Sequence, residues 1–134
     1  MDASTWAMKM KSLMSEAFLA NRCDVIDIHF DGGHTREVYL ASDMAMRRRG
    51  LSHVSSIGTD GMLFTYQVPS FVPFTMKDMS IDLDVAWYTD KGDLIQMRSL
   101  KAGSETPECS PVPFSYVLEA PVDTIPKSNL RVRF

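Results

Sequence analysis

Three aspartates between residues 78 and 84 form the most concentrated group of potential metal ligands in the chain. Asp82 and Asp84 are two residues apart, so in a β-strand both would point to the same face, and Asp78 lies just upstream. Clustered carboxylates could bind a hard cation such as Ca²⁺, but the spacing does not match an EF-hand loop. The favoured interpretation is a solvated acidic strand face, with no metal and no other cofactor. The opposite, core-facing positions would be Ile81, Leu83, Val85 and Trp87.

The only dense basic cluster is Arg47-Arg48-Arg49. Three guanidinium groups could grip a phosphate or an acidic surface of a partner. The favoured alternative is structural, because arginines near the carboxyl end of a helix interact favourably with its dipole.

Composition limits the class of protein. The chain has 134 residues, 45% of them hydrophobic and 23% charged, with a formal net charge of -3. This length and composition are typical of one globular domain. The negative charge argues against binding to nucleic acid or to an anionic membrane surface.

The termini and cysteines bear on location. The N-terminus lacks a basic region, and Lys9, Lys11 and Glu16 interrupt the apolar residues that follow. We therefore expect no signal peptide, and a protein that stays in the cytosol or is assembled into a virus particle. Cys23 and Cys109 could form one disulfide, but two free thiols are favoured.

The N-terminal segment predicts an amphipathic helix over residues 4–20, capped by Ser4 or Thr5 and ending near Asn21. Its apolar residues follow the spacing of one helical face, which must bury either against the chain's own sheet or against a partner. The residues of this face that could contact a partner are Trp6, Met10, Leu13, Met14 and Phe18.

The remainder reads as short strands separated by glycine and proline. Strands over residues 23–30 and 37–40 predict a hairpin, and strands over 81–88 and 94–100 predict a second one, with Gly92 free to take a positive φ. A short helix should begin at Ser42 or Asp43 and end at Arg49. Further strands are expected over residues 61–67, 114–118 and 130–134.

These elements predict a mainly antiparallel β domain that closes as a small barrel or sandwich, with an N-terminal amphipathic helix and one short helix. We expect two parts, a helix over residues 1–22 and a single β-rich domain over residues 23–134.

Several short motifs occur in an order that resembles a known family. Together they are similar to the uncharacterised bacterial, archaeal and phage-borne family catalogued as domain of unknown function number 192. The resemblance implies a compact β-rich domain and no established reaction. The motifs are Arg49-Gly-Leu51, Asp60-Gly-Met-Leu-Phe64, Phe74-x-Met-Lys77, Ile81-x-Leu-Asp-Val85 and Tyr116-Val-Leu-Glu119.

The chain departs from the family pattern at four positions. Thr75 stands where the family has tryptophan, Asp78 where it has asparagine, Met79 where it has threonine and Asp82 where it has proline. If the family builds a pocket on those side chains, much of it is changed here. The resemblance then implies a fold retained for a different task.

Two functions follow as hypotheses. The favoured one is a non-catalytic structural or interaction module, a subunit of a larger assembly such as a phage particle, bound to other protein subunits or to copies of itself. The alternative is a small-ligand-binding protein or an enzyme, with a pocket near Lys77 and Asp84 to which Asp78 and Arg49 also contribute. No catalytic residue is predicted.

Overall fold

The computed structural model describes residues 2–132, which fold into a curled seven-stranded sheet with two helices. In the sheet the strands lie in the order β5-β4-β6-β3-β2-β1-β7. The elements are α1 (Ala3–Arg22), β1 (Asp24–Phe30), β2 (Thr35–Ala41), α2 (Met44–Arg49), β3 (Met62–Ser70), β4 (Leu83–Tyr88), β5 (Leu94–Leu100), β6 (Phe114–Pro121) and β7 (Leu130–Arg131).

The strand pairing confirms the predicted mainly β fold. All strand pairs are antiparallel except β2 with β3, which pair in parallel where Tyr39 lies opposite Met62. Both predicted hairpins form, β1 with β2 and β4 with β5. The sheet curls into an incomplete barrel. The sequence had predicted either a small barrel or a sandwich.

The turn of the second hairpin lies against the strand at the opposite edge of the sheet. The Leu130 amide donates a hydrogen bond of 2.8 Å to the Gly92 carbonyl, and the Leu94 amide donates one of 2.9 Å to Asn129 Oδ1. Gly92 has a φ of 86°, as predicted, and a Cβ placed there would lie 1.9 Å from the Leu130 carbonyl oxygen. Only glycine fits this contact, which holds the two edges of the sheet together.

The predicted solvated face of β4 is wrong. Every residue of β4 is buried, because the strand lies between β5 and β6 and has a hydrophobic core on each face. Asp84 is therefore buried on the face opposite Val85. Asp82 precedes the strand and is exposed, where it accepts a hydrogen bond of 2.8 Å from the Ala102 amide.

The N-terminal helix forms as predicted, but with a different cap. The Asp2 carboxylate, and not Ser4 or Thr5, accepts a 2.8 Å hydrogen bond from the Thr5 amide. An aspartate at this position satisfies one of the free amides of the first turn. The helix continues to Arg22, beyond the predicted end near Asn21.

Most of the predicted apolar face of α1 is exposed, and of its candidate partner-binding residues only Phe18 packs against the core of its own chain. The helix instead buries Ser12, Ser15 and Leu19. Polar contacts fix this orientation. Ser12 Oγ donates a 2.7 Å hydrogen bond to Ser55 Oγ, and Glu16 Oε1 accepts one of 2.8 Å from the Ser56 amide.

Other boundaries differ by a few residues from those predicted. Strand β3 runs through Pro69, and β6 extends to Pro121. The last predicted strand is present as β7, while its residues 133 and 134 lie outside the described part of the chain. Cys23 is buried and Cys109 exposed, and both are free thiols, as favoured from the sequence. No helix in the described part of the chain is long and apolar enough to cross a lipid bilayer.

Candidate functional site

A cavity of about 520 Å³ lies between α2, strand β3 and the segment over residues 72–79. Its volume is within the range of small-molecule sites, about 300–1,000 Å³. Aromatic side chains form part of its wall, and the three consecutive arginines of α2 line one side. Glu119 of β6 also lines the cavity.

Local sequence explains how α2 places its arginines there. Asp43 caps the helix by accepting a 2.8 Å hydrogen bond from the Met46 amide, as one of the two predicted caps. The helix has six residues, and Gly50 ends it with a positive φ of 50°. All three arginines thus fall in the last turn. The structure therefore places the arginine cluster at the carboxyl end of a helix, as the structural interpretation expected, and beside the cavity, while a role in binding stays a prediction.

The aromatic wall is built by rings that pack edge to face. The rings of Phe64 and Phe74 lie 5.3 Å apart at 87°. Phe74 is held by two backbone hydrogen bonds with Glu108, of 2.8 and 2.7 Å. Trp87 packs against the far side of Phe74 at 6.4 Å. The wall is therefore a fixed apolar surface and not a set of loose side chains.

Glu119 is the most unusual group in the cavity. It is only 1% exposed, and within residues 2–132 its Oε1 atom has no hydrogen-bond partner. On the sheet it lies opposite Val85 on one side and Met62 on the other. Burial in these apolar surroundings raises the pKa of Glu119 to about 8. At neutral pH this side chain is mainly an uncharged carboxylic acid that can donate a hydrogen bond.

Two of the arginines are positioned by aromatic rings. The Arg47 guanidinium lies 4.8 Å from the centre of the Tyr66 ring, and its Nη1 donates to the Ser42 and Thr65 carbonyl oxygens at 2.9 and 3.0 Å. The Arg49 guanidinium lies 3.7 Å from the centre of the Phe18 ring of α1. Burial raises the pKa of Tyr66, so this hydroxyl also stays protonated. Stacking holds these cations in place and leaves their charge unneutralised.

Only two of the four predicted ligand-binding residues lie together at the cavity. Arg49 and Asp78 both line the cavity. Lys77 is exposed and outside the lining. Asp84 is buried on the other face of the sheet, where it accepts hydrogen bonds from Ser99 Oγ at 2.5 Å and from the Asp123 amide at 2.9 Å. The cavity is therefore not centred between Lys77 and Asp84, as the sequence hypothesis had it.

The predicted partner-binding residues lie on α1, and none of them lines the cavity. Phe18 is half-buried beneath Arg49. Exposure of the other four ranges from 37% for Met10 to 65% for Met14, with Leu13 at 52% and Trp6 at 59%.

Sequence reasoning missed Glu119. A signal was present, because this residue is the only charged one in the otherwise apolar or uncharged run Tyr116–Ala120. An acid in the middle of a strand that turns out to be buried on both faces has no solvated side to occupy. Three of the four departures from the family pattern, Thr75, Asp78 and Met79, also line the cavity.

Comparison with known proteins gives a family and a fold. The sequence model of the family DUF192, described as Uncharacterized ACR, matches residues 25–133. A comparison with proteins of curated function finds no match.

Two solved structures are similar to the chain. A candidate transcription regulator from Sinorhizobium meliloti 1021 has 25% sequence identity and a TM-score of 0.68, over 81% of this chain and 92% of that one. A protein of unknown function from Novosphingobium aromaticivorans DSM 12444 has 22% identity and a TM-score of 0.70, over 84% of this chain and 85% of that one.

Proposed function

The chain belongs to the DUF192 family of uncharacterized proteins, and from that premise we propose that it is a small-molecule-binding protein whose ligand occupies the cavity beside α2. The observation that carries this proposal is Glu119, a fully buried acid with an unpartnered oxygen on the cavity wall. A rigid aromatic wall and nearby arginines supply the apolar and polar surfaces that such a site needs.

The energetics of Glu119 support a role in binding. An unpartnered polar group in an apolar setting destabilises a fold, and a leucine at this position would bury without that penalty. Strongly perturbed acids in cavities are concentrated at functional sites. A ligand that accepts a hydrogen bond from the protonated carboxyl would satisfy the group, so ligand binding would offset the cost of burying it.

A thermal-shift screen with a library of small metabolites tests the proposal. A ligand that binds the native cavity raises Tm, and the increase grows with ligand concentration. The matched variant Glu119→Leu puts an apolar side chain of similar size in the same place and removes the capacity to form a hydrogen bond. We expect compounds that stabilise the wild type to stabilise this variant much less. The proposal fails if no compound raises the wild-type Tm, or if every active compound stabilises both proteins equally.

The apolar face of α1 supports a second candidate function, the interaction module favoured by the sequence. Trp6, Leu13 and Met14 are each more than half exposed, although they form a continuous helical face. Amphipathic helices commonly place such a face in an apolar groove of a protein partner. The partner would be another protein subunit or a second copy of the chain, and a phage particle is one setting in which such a subunit would work.

Light scattering on the purified protein is the first test of this second function. If copies of the chain associate through α1, Leu13→Glu should convert the assembly to a monomer, while the control Lys127→Glu, at an exposed residue outside α1, should not. A monomer whose α1 amides exchange equally fast in buffer and in extracts of its host would contradict an interaction role.

A further inference from the structure

The charges that line the cavity are unbalanced. Arg47, Arg48 and Arg49 face two acids, Asp78 and Glu119. None of the three guanidinium groups forms an ion pair within the described residues. Guanidinium groups that line a cavity without a carboxylate partner present fixed donors for an anion.

The two acids do not cancel this charge. Glu119 is shielded from water and mainly protonated at neutral pH. Asp78 is exposed, where water screens its charge, and the same holds for Arg48. The half-buried Arg47 and Arg49 therefore supply most of the positive charge of the inner cavity. The inner part of the cavity therefore combines positive charge on one side with an uncharged acid on another.

The apolar wall determines the rest of the ligand. Tyr66 and Phe74, both half-buried, present ring surfaces to the cavity, and the buried Phe64 packs behind Phe74. A purely inorganic anion would leave these rings uncovered. An aromatic body attached to the anionic group would cover them and displace water from their surface.

On the basis of the proposed function, we propose that the cavity selects aromatic organic monoanions, with the anionic group at the arginines of α2, the ring against Tyr66 and Phe74, and Glu119 as a hydrogen-bond donor to the ligand. An aromatic carboxylate is the simplest member of this class. A neutral ligand of the same shape forfeits the charge-assisted hydrogen bonds, and a cationic one meets repulsion.

Three probes with one ring system and different charges test the selection directly. They are 2-naphthoate, its neutral analogue 2-naphthamide and the cationic 2-naphthylmethylamine. Each is titrated into ¹⁵N-labelled full-length protein, and the amide shifts of cavity residues report both the location and the affinity. We expect 2-naphthoate to bind at least about tenfold more tightly than 2-naphthamide, the ratio expected for one charge-assisted hydrogen bond. The amine should bind least tightly.

Matched variants assign the selectivity to the cavity. Arg49→Gln should weaken 2-naphthoate roughly tenfold and leave 2-naphthamide nearly unchanged. Lys77→Gln removes the same charge from an exposed residue beside the cavity, outside its lining, and should have little effect. If both variants lost the same affinity for 2-naphthoate, the selectivity would come from the overall positive charge and not from direct contact with Arg49. That result would overturn the assignment.

The outcomes separate this inference from the proposed function. If the amide or the amine binds in the cavity as tightly as the acid, selection of anions is refuted while small-molecule binding stands. If none of the three probes shifts cavity amides at millimolar concentration, the aromatic-anion assignment is refuted. The thermal-shift screen then decides the proposed function independently.

Discussion

Replacing Glu119 by glutamine should change how the stability of the protein depends on pH. In the folded protein the pKa of Glu119 is raised from 4.5 to about 8, because burial disfavours the charged form. Between these two pH values the folded state holds a proton that the unfolded chain has released. Stability is therefore fully present below pH 4.5, falls as the pH rises, and levels off above about pH 8.

The magnitude follows from the same two values. Each pH unit between 4.5 and about 8 removes about 1.4 kcal/mol of stability, so the wild type should lose about 5 kcal/mol across this range. This loss is a large share of the free energy of unfolding of a typical domain, which is roughly 5–15 kcal/mol. Glutamine has nearly the same shape but does not ionise, so Glu119→Gln should lose none of this contribution.

Urea denaturation between about pH 5 and about pH 9 measures the effect, with the wild type and the variant compared at each pH. The difference in the free energy of unfolding between the two proteins should grow with pH up to about 8 and then level off. Glu105→Gln, which removes an exposed carboxylate from the loop before β6, is the control and should follow the wild type. Parallel curves for the wild type and Glu119→Gln would refute the claim that Glu119 is buried and protonated.

Three further predictions concern the fold and the site. Gly92→Ala should destabilise the protein by about 3 kcal/mol in urea denaturation, because a Cβ would collide with a backbone carbonyl where the two edges of the sheet meet. The control Gly103→Ala should lower the free energy of unfolding by less, because Gly103 also has a positive φ but a Cβ there would have nothing within 4 Å. Asp84→Ala should destabilise by about 2 kcal/mol, since it removes two hydrogen bonds to a buried acid, whereas the exposed Asp82→Ala should have a smaller effect on the midpoint. Binding of 2-naphthoate by the wild type should weaken by up to about tenfold per pH unit above pH 8, as Glu119 ionises, and calorimetry should find no such decline for Glu119→Gln; an identical decline in both proteins would contradict the role of Glu119 as a donor.

Local signals in the sequence predicted the secondary structure well. The hairpin turn at Gly92 and the cap of α2 at Asp43 depend on residues close together in the chain, and both form as expected. The mainly β fold followed from the same short-range patterns.

Burial depended on contacts that no local pattern contains. Alternation of apolar and acidic residues suggested that Asp84 faces water, but β4 lies between β5 and β6 and has a hydrophobic core on each face. The same long-range arrangement buries Glu119 opposite Val85. The orientation of α1 is fixed by hydrogen bonds to residues near Ser55, which lies 39 residues after Glu16.

The altered family positions now have a structural location. Thr75, Asp78 and Met79 replace the tryptophan, asparagine and threonine of the family pattern, and all three line the cavity. The fourth, Asp82, lies outside it and holds the Ala102 amide. The substitutions therefore alter the surface of the cavity without removing the cavity itself.

Titration of the ¹⁵N-labelled protein with 2-naphthoate is the most direct test that the cavity is a ligand site. We expect saturable amide shifts concentrated at Arg49, Tyr66, Thr75 and Glu119, which line the cavity, and a marked loss of affinity in Glu119→Leu. Shifts spread evenly over the surface, or an affinity unchanged in Glu119→Leu, would contradict it.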